Sequence, residues 1–238
     1  MSPLEISLLL ATLAGATIPI GAIIAQVERI QPRWLEAEFR HTMIAFGGGV
    51  LLAAVSLVLV PEGIRPLTWP WICLSFGGGG LAFFLLDRAI QRQGGTAAQL
   101  IAMLLDFIPE AMAVGAALAS GMQIGFLLVL LIALQNLPEG FNAYREIMVR
   151  GYYSRQTVLT LFSMLVLLGP LAAYLGHTFL ASAPMLLGSV MLFAAGGIIY
   201  LTFEDIAPQA VLRRHWAPPL GAVAGFLLGI VGRLAFLP

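Results

Sequence analysis

Eight apolar stretches divide this chain, and only short connections separate them. A helix that crosses a bilayer needs about 20 consecutive apolar residues, so the pattern predicts an all-α polytopic membrane protein with a single transmembrane domain over residues 1–238. Charged residues make up only 10% of the chain, whereas soluble domains carry roughly 25%. The predicted eight transmembrane helices cover approximately residues 5–26, 42–62, 70–90, 99–120, 123–145, 156–177, 184–207 and 217–237.

The arginines predict the orientation of these spans. All twelve basic residues are Arg, and only Arg65 and Arg233 fall on the second side of the predicted bundle. Because positive charge is enriched in cytoplasmic connections, we expect the arginine-rich side in the cytoplasm and both termini extracytoplasmic. The ten arginines on the first side are Arg29, Arg33, Arg40, Arg88, Arg92, Arg145, Arg150, Arg155, Arg213 and Arg214.

The charge and composition of the chain indicate its partners and its cellular location. The formal net charge is zero, which gives no support for a nucleic-acid partner. The first apolar segment has no Lys or Arg before it, so we expect a retained span rather than a cleaved signal peptide. The absence of Lys is typical of GC-rich bacterial genomes. We therefore expect a multi-pass protein of a bacterial plasma (inner) membrane.

Two related phrases put polar side chains in the middle of predicted spans. The fourth span contains Asp-Phe-Ile-Pro-Glu at 106–110, and the fifth contains Gln-Asn-Leu-Pro-Glu at 135–139. Ionisable groups at that depth are costly, and their presence indicates function. Residues four apart share a helix face, so the two polar faces can converge if a short turn near Gly121 makes the spans an antiparallel pair.

The prolines of these phrases add backbone oxygens to the same region. Pro109 cannot donate to the carbonyl of Leu105, and Pro138 cannot donate to that of Leu134; in lipid, such carbonyls need another partner. Carboxylate, amide and carbonyl oxygens together suit a divalent cation. The lack of His and Cys favours harder metals, although zinc also accepts carboxylates. The alternative is that the prolines are simple kinks beside protonated or snorkelling acids.

Three further acids lie at the ends of spans, and several glycines lie within them. Glu62 closes the second span, and Glu204 and Asp205 lie near the cytoplasmic end of the seventh. Each could be a surface acid or part of a pathway. The glycine runs at 47–49, 77–80 and 196–197 predict close helix–helix contacts, or sliding surfaces for a moving bundle.

The combination of spans and motifs resembles the ZIP (Zrt/Irt-like) family of divalent-metal permeases, as a divergent prokaryotic-type member. The family motifs are centred on Pro-Glu pairs, which match here at 109–110 and 138–139, and Asn136 also matches. The segments 60–62 and 203–208 resemble family segments on helices 2 and 7. The chain departs from the family at the two His positions, which hold Asp106 and Gln135, and at an Asn position, which holds Phe107. Residues 165–170 lack the acid that helix 6 often carries.

The resemblance implies a secondary transporter that moves a divalent metal into the cytoplasm by alternating access. One bundle would contain helices 1, 4, 5 and 6 and the other helices 2, 3, 7 and 8. Ser56 would face the same pathway as the metal site, Glu62 would lie near the outer entrance, and Glu204 and Asp205 would lie near the inner exit. The loss of polar groups at 107 and 166 predicts one main metal site, whose ligands would be Asp106, Glu110, Gln135, Glu139 and, as a fifth, Asn136.

The transported metal is the only ion or cofactor that we expect. Zinc is the usual cargo of the family, and the replacement of His by Asp and Gln makes Fe²⁺ or Mn²⁺ more plausible than usual, with Cd²⁺ as a surrogate. A homodimer is a further implication of the resemblance. One alternative is a ZIP-like fold that has lost transport and serves a regulatory or structural role. Another is an intramembrane hydrolase, but no nucleophile accompanies the acids, so we expect no enzyme activity.

Overall fold

The computed structural model describes residues 1–31, 33–92, 98–212 and 216–237, and the regular structure in these ranges is helical throughout. Eight long helical segments run through it, some of them with an internal break. They are α1 (Pro3–Val27), α2 (Trp34–Ile64), α3 (Trp69–Arg92), α4 (Ala98–Ala119), α5 (Ile124–Arg150), α6 (Arg155–Leu180), α7 (Pro184–Ala210) and α8 (Ala217–Phe236).

Seven of these helices are long and apolar enough to cross a bilayer, counting only the described residues. The remaining helix, α4, has 22 residues, which is also the length of a span. The chain is therefore a multi-pass helical membrane protein. α2 and α5 extend furthest beyond their predicted bounds: α2 begins at Trp34 rather than near residue 42, and α5 continues past residue 145 to Arg150, where Gly151, with a φ of 72°, ends it.

Wide π-helical turns interrupt α2 and α7 shortly before a proline. Val55–Leu59 precedes Pro61, and Thr202–Ile206 precedes Pro208. A proline lacks an amide hydrogen and its ring clashes with the carbonyl four residues earlier, and a π turn gives that carbonyl more room. In α2 the carbonyl in question is that of Leu57, and it accepts a hydrogen bond from the Arg233 guanidinium of α8.

The helices form two groups. α1, α4, α5 and α6 pack around one another, while α2 lies between α8 and α7, and α3 packs on α7. The two groups meet where α2 contacts α5 and where α4 contacts α7. This is the same grouping into two bundles that the sequence resemblance predicts. The interface between the groups runs past the polar residues of α5.

Glycines permit the closest helix contacts within each group. A Cβ added to Gly115 of α4 would meet the backbone carbonyl of Ala173 in α6, and one added to Gly79 of α3 would meet that of Phe193 in α7. The predicted contact role is confirmed for Gly49, Gly79 and Gly196. It is wrong for Gly77 and Gly78, which have open space around them. Similar glycine contacts join α1 with α5 and α2 with α8, at Gly21, Gly140, Gly49, Gly221 and Gly225.

Arg29 and Arg145 line one pocket where α1 ends and α2 begins, which we call the arginine-rich end of the bundle. Arg145 of α5 donates to Glu28, at the end of α1, over 2.6 Å, and it also pairs with Glu36 near the start of α2. Arg65 lies at the opposite end, where it pairs with Glu62 over 2.6 Å. The observed separation agrees with the alternation that the sequence predicts. Arg213 and Arg214 lie outside the described residues.

Candidate functional site

The two polar phrases meet inside the bundle. Asp106 and Glu110 of α4 are 3% and 0% exposed, and Gln135 and Asn136 of α5 are both 0% exposed. The Gln135 side-chain amide nitrogen donates a 2.6 Å hydrogen bond to Oε2 of Glu110. The predicted convergence of the two helix faces is thus present, and Gln135 and Glu110 form its direct link.

The neighbouring side chains are fixed by the backbone and by apolar packing. Oδ1 of Asp106 accepts a 2.8 Å hydrogen bond from the amide of Phe107. The Phe107 ring is fully buried and reaches towards Gly15 of α1 and Gly169 of α6. Asn136 donates through Nδ2 to the carbonyl of Ala14 over 3.3 Å. The apolar Phe107 ring therefore fills space between α1 and α6 beside the polar residues.

Five side-chain oxygens in this region are buried without a hydrogen-bond partner among the described residues. They are Oε1 of Glu110, Oε1 of Gln135, Oδ1 of Asn136 and both carboxylate oxygens of Glu139. A buried polar atom without a partner is destabilising. All five are acceptors, so only a donor or a cation can satisfy them. Their chemistry fits a bound cation.

The carboxylates also influence one another electrostatically. Glu139 lies within electrostatic reach of Asp106 and Glu110, and of Asp205 on α7. Several negative charges close together in a low-dielectric interior repel strongly. Protons or a cation must therefore accompany them.

Acidic side chains alone do not complete a metal site here. In the part of the chain that the structure describes, no three His, Cys, Asp or Glu side chains are grouped closely enough to hold a metal ion. A cation in this region would need amide or carbonyl oxygens in addition to carboxylates. Gln135, Asn136 and the proline-freed backbone are the neighbouring sources of such oxygens.

A small cavity extends from Glu139 towards the arginine-rich end of the bundle. Its volume is about 30 Å³, which is sufficient for a water molecule or an ion. The cavity lies between the two helix groups, because α2, α5 and α7 all contribute to it. Its lining is Ile44, Gly47, Gly48, Pro138, Glu139, Asn142, Asp205, Ile206 and Gln209.

The predicted pathway residues fall in different places. Asp205 lines the cavity with Glu139, whereas its neighbour Glu204 is exposed. Glu62 lines a second pocket of about 320 Å³ at the opposite end of the bundle, together with Arg65. Ser56 lines neither of these two pockets; it is exposed, and its hydroxyl donates over 2.5 Å to the carbonyl of Leu52 in its own helix. Its place on a pathway stays a prediction.

Two cavity residues escaped the sequence analysis. Nδ2 of Asn142 donates to Oε1 of Gln209 over 3.0 Å, and Gln209 in turn donates to Asp205. Spacing could have identified both. Asn142 follows Gln135 by seven residues, and Gln209 follows Asp205 by four, so each pair repeats on one helix face.

Fold and site together define a multi-pass helical membrane protein with a buried, oxygen-rich polar centre between two helix groups. Comparison with protein-family models and with the curated proteins finds no match for this chain.

Proposed function

We propose that this protein is a secondary transporter that moves a divalent transition metal across the membrane into the cytoplasm. The proposal rests on five buried acceptor oxygens of α4 and α5 that have no hydrogen-bond partner among the described residues. Glu110 and Glu139 would supply charge, and Gln135 and Asn136 would supply neutral oxygens. Asp106 would add a further carboxylate once the cation draws the side chains inward.

The oxygen atoms available as ligands favour a cation of borderline to hard character. Carboxylate and amide oxygens suit Mn²⁺, and also accept Fe²⁺ or Zn²⁺. Zinc is the first candidate because of the family resemblance, and Cd²⁺ is a convenient surrogate. Carboxylates must be deprotonated to bind a metal, so metal loading releases protons. Uptake should therefore increase as the pH rises through the titration of these acids.

The route would run from the Glu62 end of the bundle to the Asp205 end. The pocket beside Glu62 and Arg65 would admit the cation, and the cavity between Glu139 and Asp205 would lead it onward. The helix groups meet along this line, so their relative movement would open one end at a time. The arginine-rich end, where Asp205 lies, would face the cytoplasm.

The wider identity is proposed on the sequence motifs. The chain would be a divergent ZIP-type permease with eight spans and both termini extracytoplasmic. It would reside in a bacterial plasma membrane, where a homodimer is the expected assembly. The match of two Pro-Glu motifs on α4 and α5, at Pro109 and Pro138, supports this proposal most directly.

Metal uptake into proteoliposomes tests the function. The purified chain is reconstituted and the influx of Zn²⁺, Fe²⁺, Mn²⁺ and Cd²⁺ is measured against protein-free vesicles. We expect saturable uptake of at least one metal. Absence of uptake by well-folded protein would favour the alternative of a non-transporting membrane protein with a regulatory or structural role.

A further inference from the structure

A large apolar cavity lies between α2, α7 and α8, and its volume is about 420 Å³. Among the described residues that line it, only Thr202 and Trp216 carry a polar side-chain atom. The Thr202 hydroxyl donates over 2.7 Å to the carbonyl of Ile198 in its own helix. The cavity therefore suits a hydrocarbon ligand and offers little to a polar one.

Small residues of three spans create this cavity. Gly48 of α2, Ala207 of α7 and Ala222 of α8 line it at places where a larger side chain would fill the space. The wide π turn Thr202–Ile206 of α7 supplies both of its end residues to the same lining. The cavity is thus part of the helix packing itself and not a gap under a loop.

The rim of the cavity faces the bilayer. Val211 and Trp216 line it and are 70% and 88% exposed, and Phe203 of α7 and Leu220 of α8 are exposed nearby. Apolar side chains on the outside of spans contact lipid, and Trp is typical of the membrane–water interface. The cavity can therefore be filled from the bilayer, at the end of the bundle where α7 ends.

The size of the cavity fits one fatty acyl chain. An apolar cavity of about 150 Å³ stays dry and holds benzene, which has six carbons. On that scale a cavity of about 420 Å³ holds roughly 17 carbons, which is close to the length of a common membrane acyl chain. Two complete chains would need twice this volume. The ligand therefore enters with one chain only.

We propose that this cavity binds one acyl chain of a membrane phospholipid. The second chain and the head group stay in the bilayer beside Trp216. A phospholipid is the occupant because phospholipids surround every span of a membrane protein, whereas free fatty acids are scarce in a bilayer. The bound chain gains dispersion contacts with α2, α7 and α8 that a chain in the fluid bilayer does not hold in place.

The bound chain would also support a wall of the polar cavity. Gly48 and Ile206 line the apolar cavity and the cavity beside Glu139 alike. A Cβ added to Gly48 would lie 2.8 Å from Cγ2 of Ile206, so these two residues lie against each other. An acyl chain on the outer side of this wall keeps Glu139 and its neighbours separate from the bilayer.

Photolabelling of the full chain in phosphatidylcholine nanodiscs tests the proposal. The probe is a phosphatidylcholine whose palmitoyl chain ends in a diazirine, and mass spectrometry locates the labelled peptides. We expect labels to concentrate on the cavity lining, at residues such as Leu52 and Ile206, rather than along the exposed face of α3. Even labelling of all lipid-facing helices would overturn the proposal, because it would show ordinary contact with bulk lipid.

Bulky side chains inside the cavity should displace the acyl chain. Ala222→Phe and Ala210→Phe insert a ring from α8 and from α7, and each should lower the labelling of the lining about tenfold, which corresponds to about 1.4 kcal/mol. Ala224→Phe, at an exposed position of α8 outside the cavity, is the matched control and should keep the wild-type labelling. Thermal unfolding verifies that the compared variants are folded. Undiminished labelling in the folded cavity variants would overturn the proposal.

The same experiment separates the phospholipid from other occupants. Palmitic acid in an amount equal to the probe should leave the labelling unchanged, and displacement of the probe would overturn the phospholipid as the ligand. Cross-links between two copies of the chain at the cavity, without phospholipid labels, would also overturn it. The labelling needs no metal, so its failure leaves the transporter proposal standing.

Discussion

The side-chain amide of Gln135 on α5 holds the carboxylate of Glu110 on α4 through a 2.6 Å hydrogen bond. The bond engages Oε2 of Glu110 and leaves Oε1 buried without a partner among the described residues, together with the amide oxygen of Gln135. Gln135 is therefore both an orienting donor and a source of a ligand oxygen. A buried carboxylate prepared in this way can accept a cation with little rearrangement.

Replacing Gln135 with Leu should weaken divalent-metal binding. Leu has a similar volume but lacks both the amide nitrogen that orients Glu110 and the amide oxygen that could bind a cation. Loss of such an orienting partner typically lowers metal affinity by about 10–100-fold. Calorimetric titration with Mn²⁺ and Zn²⁺ measures the effect. Gln123→Leu, at the exposed start of the same helix, is the control. Equal affinities in both variants would remove Gln135 from the site.

Adding a methyl group to Gly115 should destabilise the packing of α4 on α6. A Cβ there would meet the carbonyl of Ala173, and overpacking of this kind typically costs about 1–3 kcal/mol. Gly78→Ala is the control, because nothing lies within 4 Å of the added methyl and Ala favours a helix. Thermal unfolding in one detergent compares the two variants. A Gly115→Ala protein as stable as Gly78→Ala would contradict the predicted contact.

Neutralising Arg145 should loosen the arginine-rich end of the bundle. Its guanidinium pairs with Glu28 and Glu36 and lies 5.6 Å from the centre of the Phe141 ring. Arg145→Gln leaves two carboxylates without this partner, and we expect a loss of about 2 kcal/mol, the scale of hydrogen bonds to charged groups.

Arg65→Gln is the matched control for Arg145, because Arg65 is 69% exposed and exposed ion pairs contribute at most about 1 kcal/mol. The free energies of unfolding in mild denaturing detergent compare the two losses. Equal losses would show that the Arg145 pairs are not the stronger contacts.

Replacing Pro138 with Ala should weaken cation binding without unfolding the protein. Ala restores an amide hydrogen that can donate to the carbonyl of Leu134, so that oxygen is no longer available at the polar centre. Pro19→Ala, within α1, removes an intrahelical proline away from the cavity. Metal titration of both variants should show a loss only at Pro138. An equal effect of the two changes would argue against a role for the freed carbonyl.

The helices and the main polar centre were predictable because each follows from a local rule. Apolar runs of bilayer length predict the long helices. The four-residue spacing within each polar phrase, at 106 and 110 and at 135 and 139, predicts that each pair shares one helix face. The start of α2 does not follow from the hydropathy pattern, because its first turns are polar and a polar stretch between apolar runs predicts a connection. A helix that emerges from a bilayer can continue into water.

The exposure of Ser56 and the contact between Asn142 and Gln209 could not be derived in the same way. Ser56 lies in the π-helical turn of Val55–Leu59, where a count of 3.6 residues per turn no longer assigns a face. Asn142 and Gln209 come from helices 67 residues apart, and their contact depends on how the two helix groups meet. No local pattern contains that information.

Metal influx by wild type, Glu139→Gln and Glu204→Gln in matched proteoliposomes is the most direct test of the transporter proposal. Glu139 lines the cavity between the helix groups, whereas Glu204 is exposed, so the variants differ in position but not in chemistry. We expect influx to be abolished in Glu139→Gln and retained in Glu204→Gln. Undiminished influx in Glu139→Gln would contradict a transport route through this site.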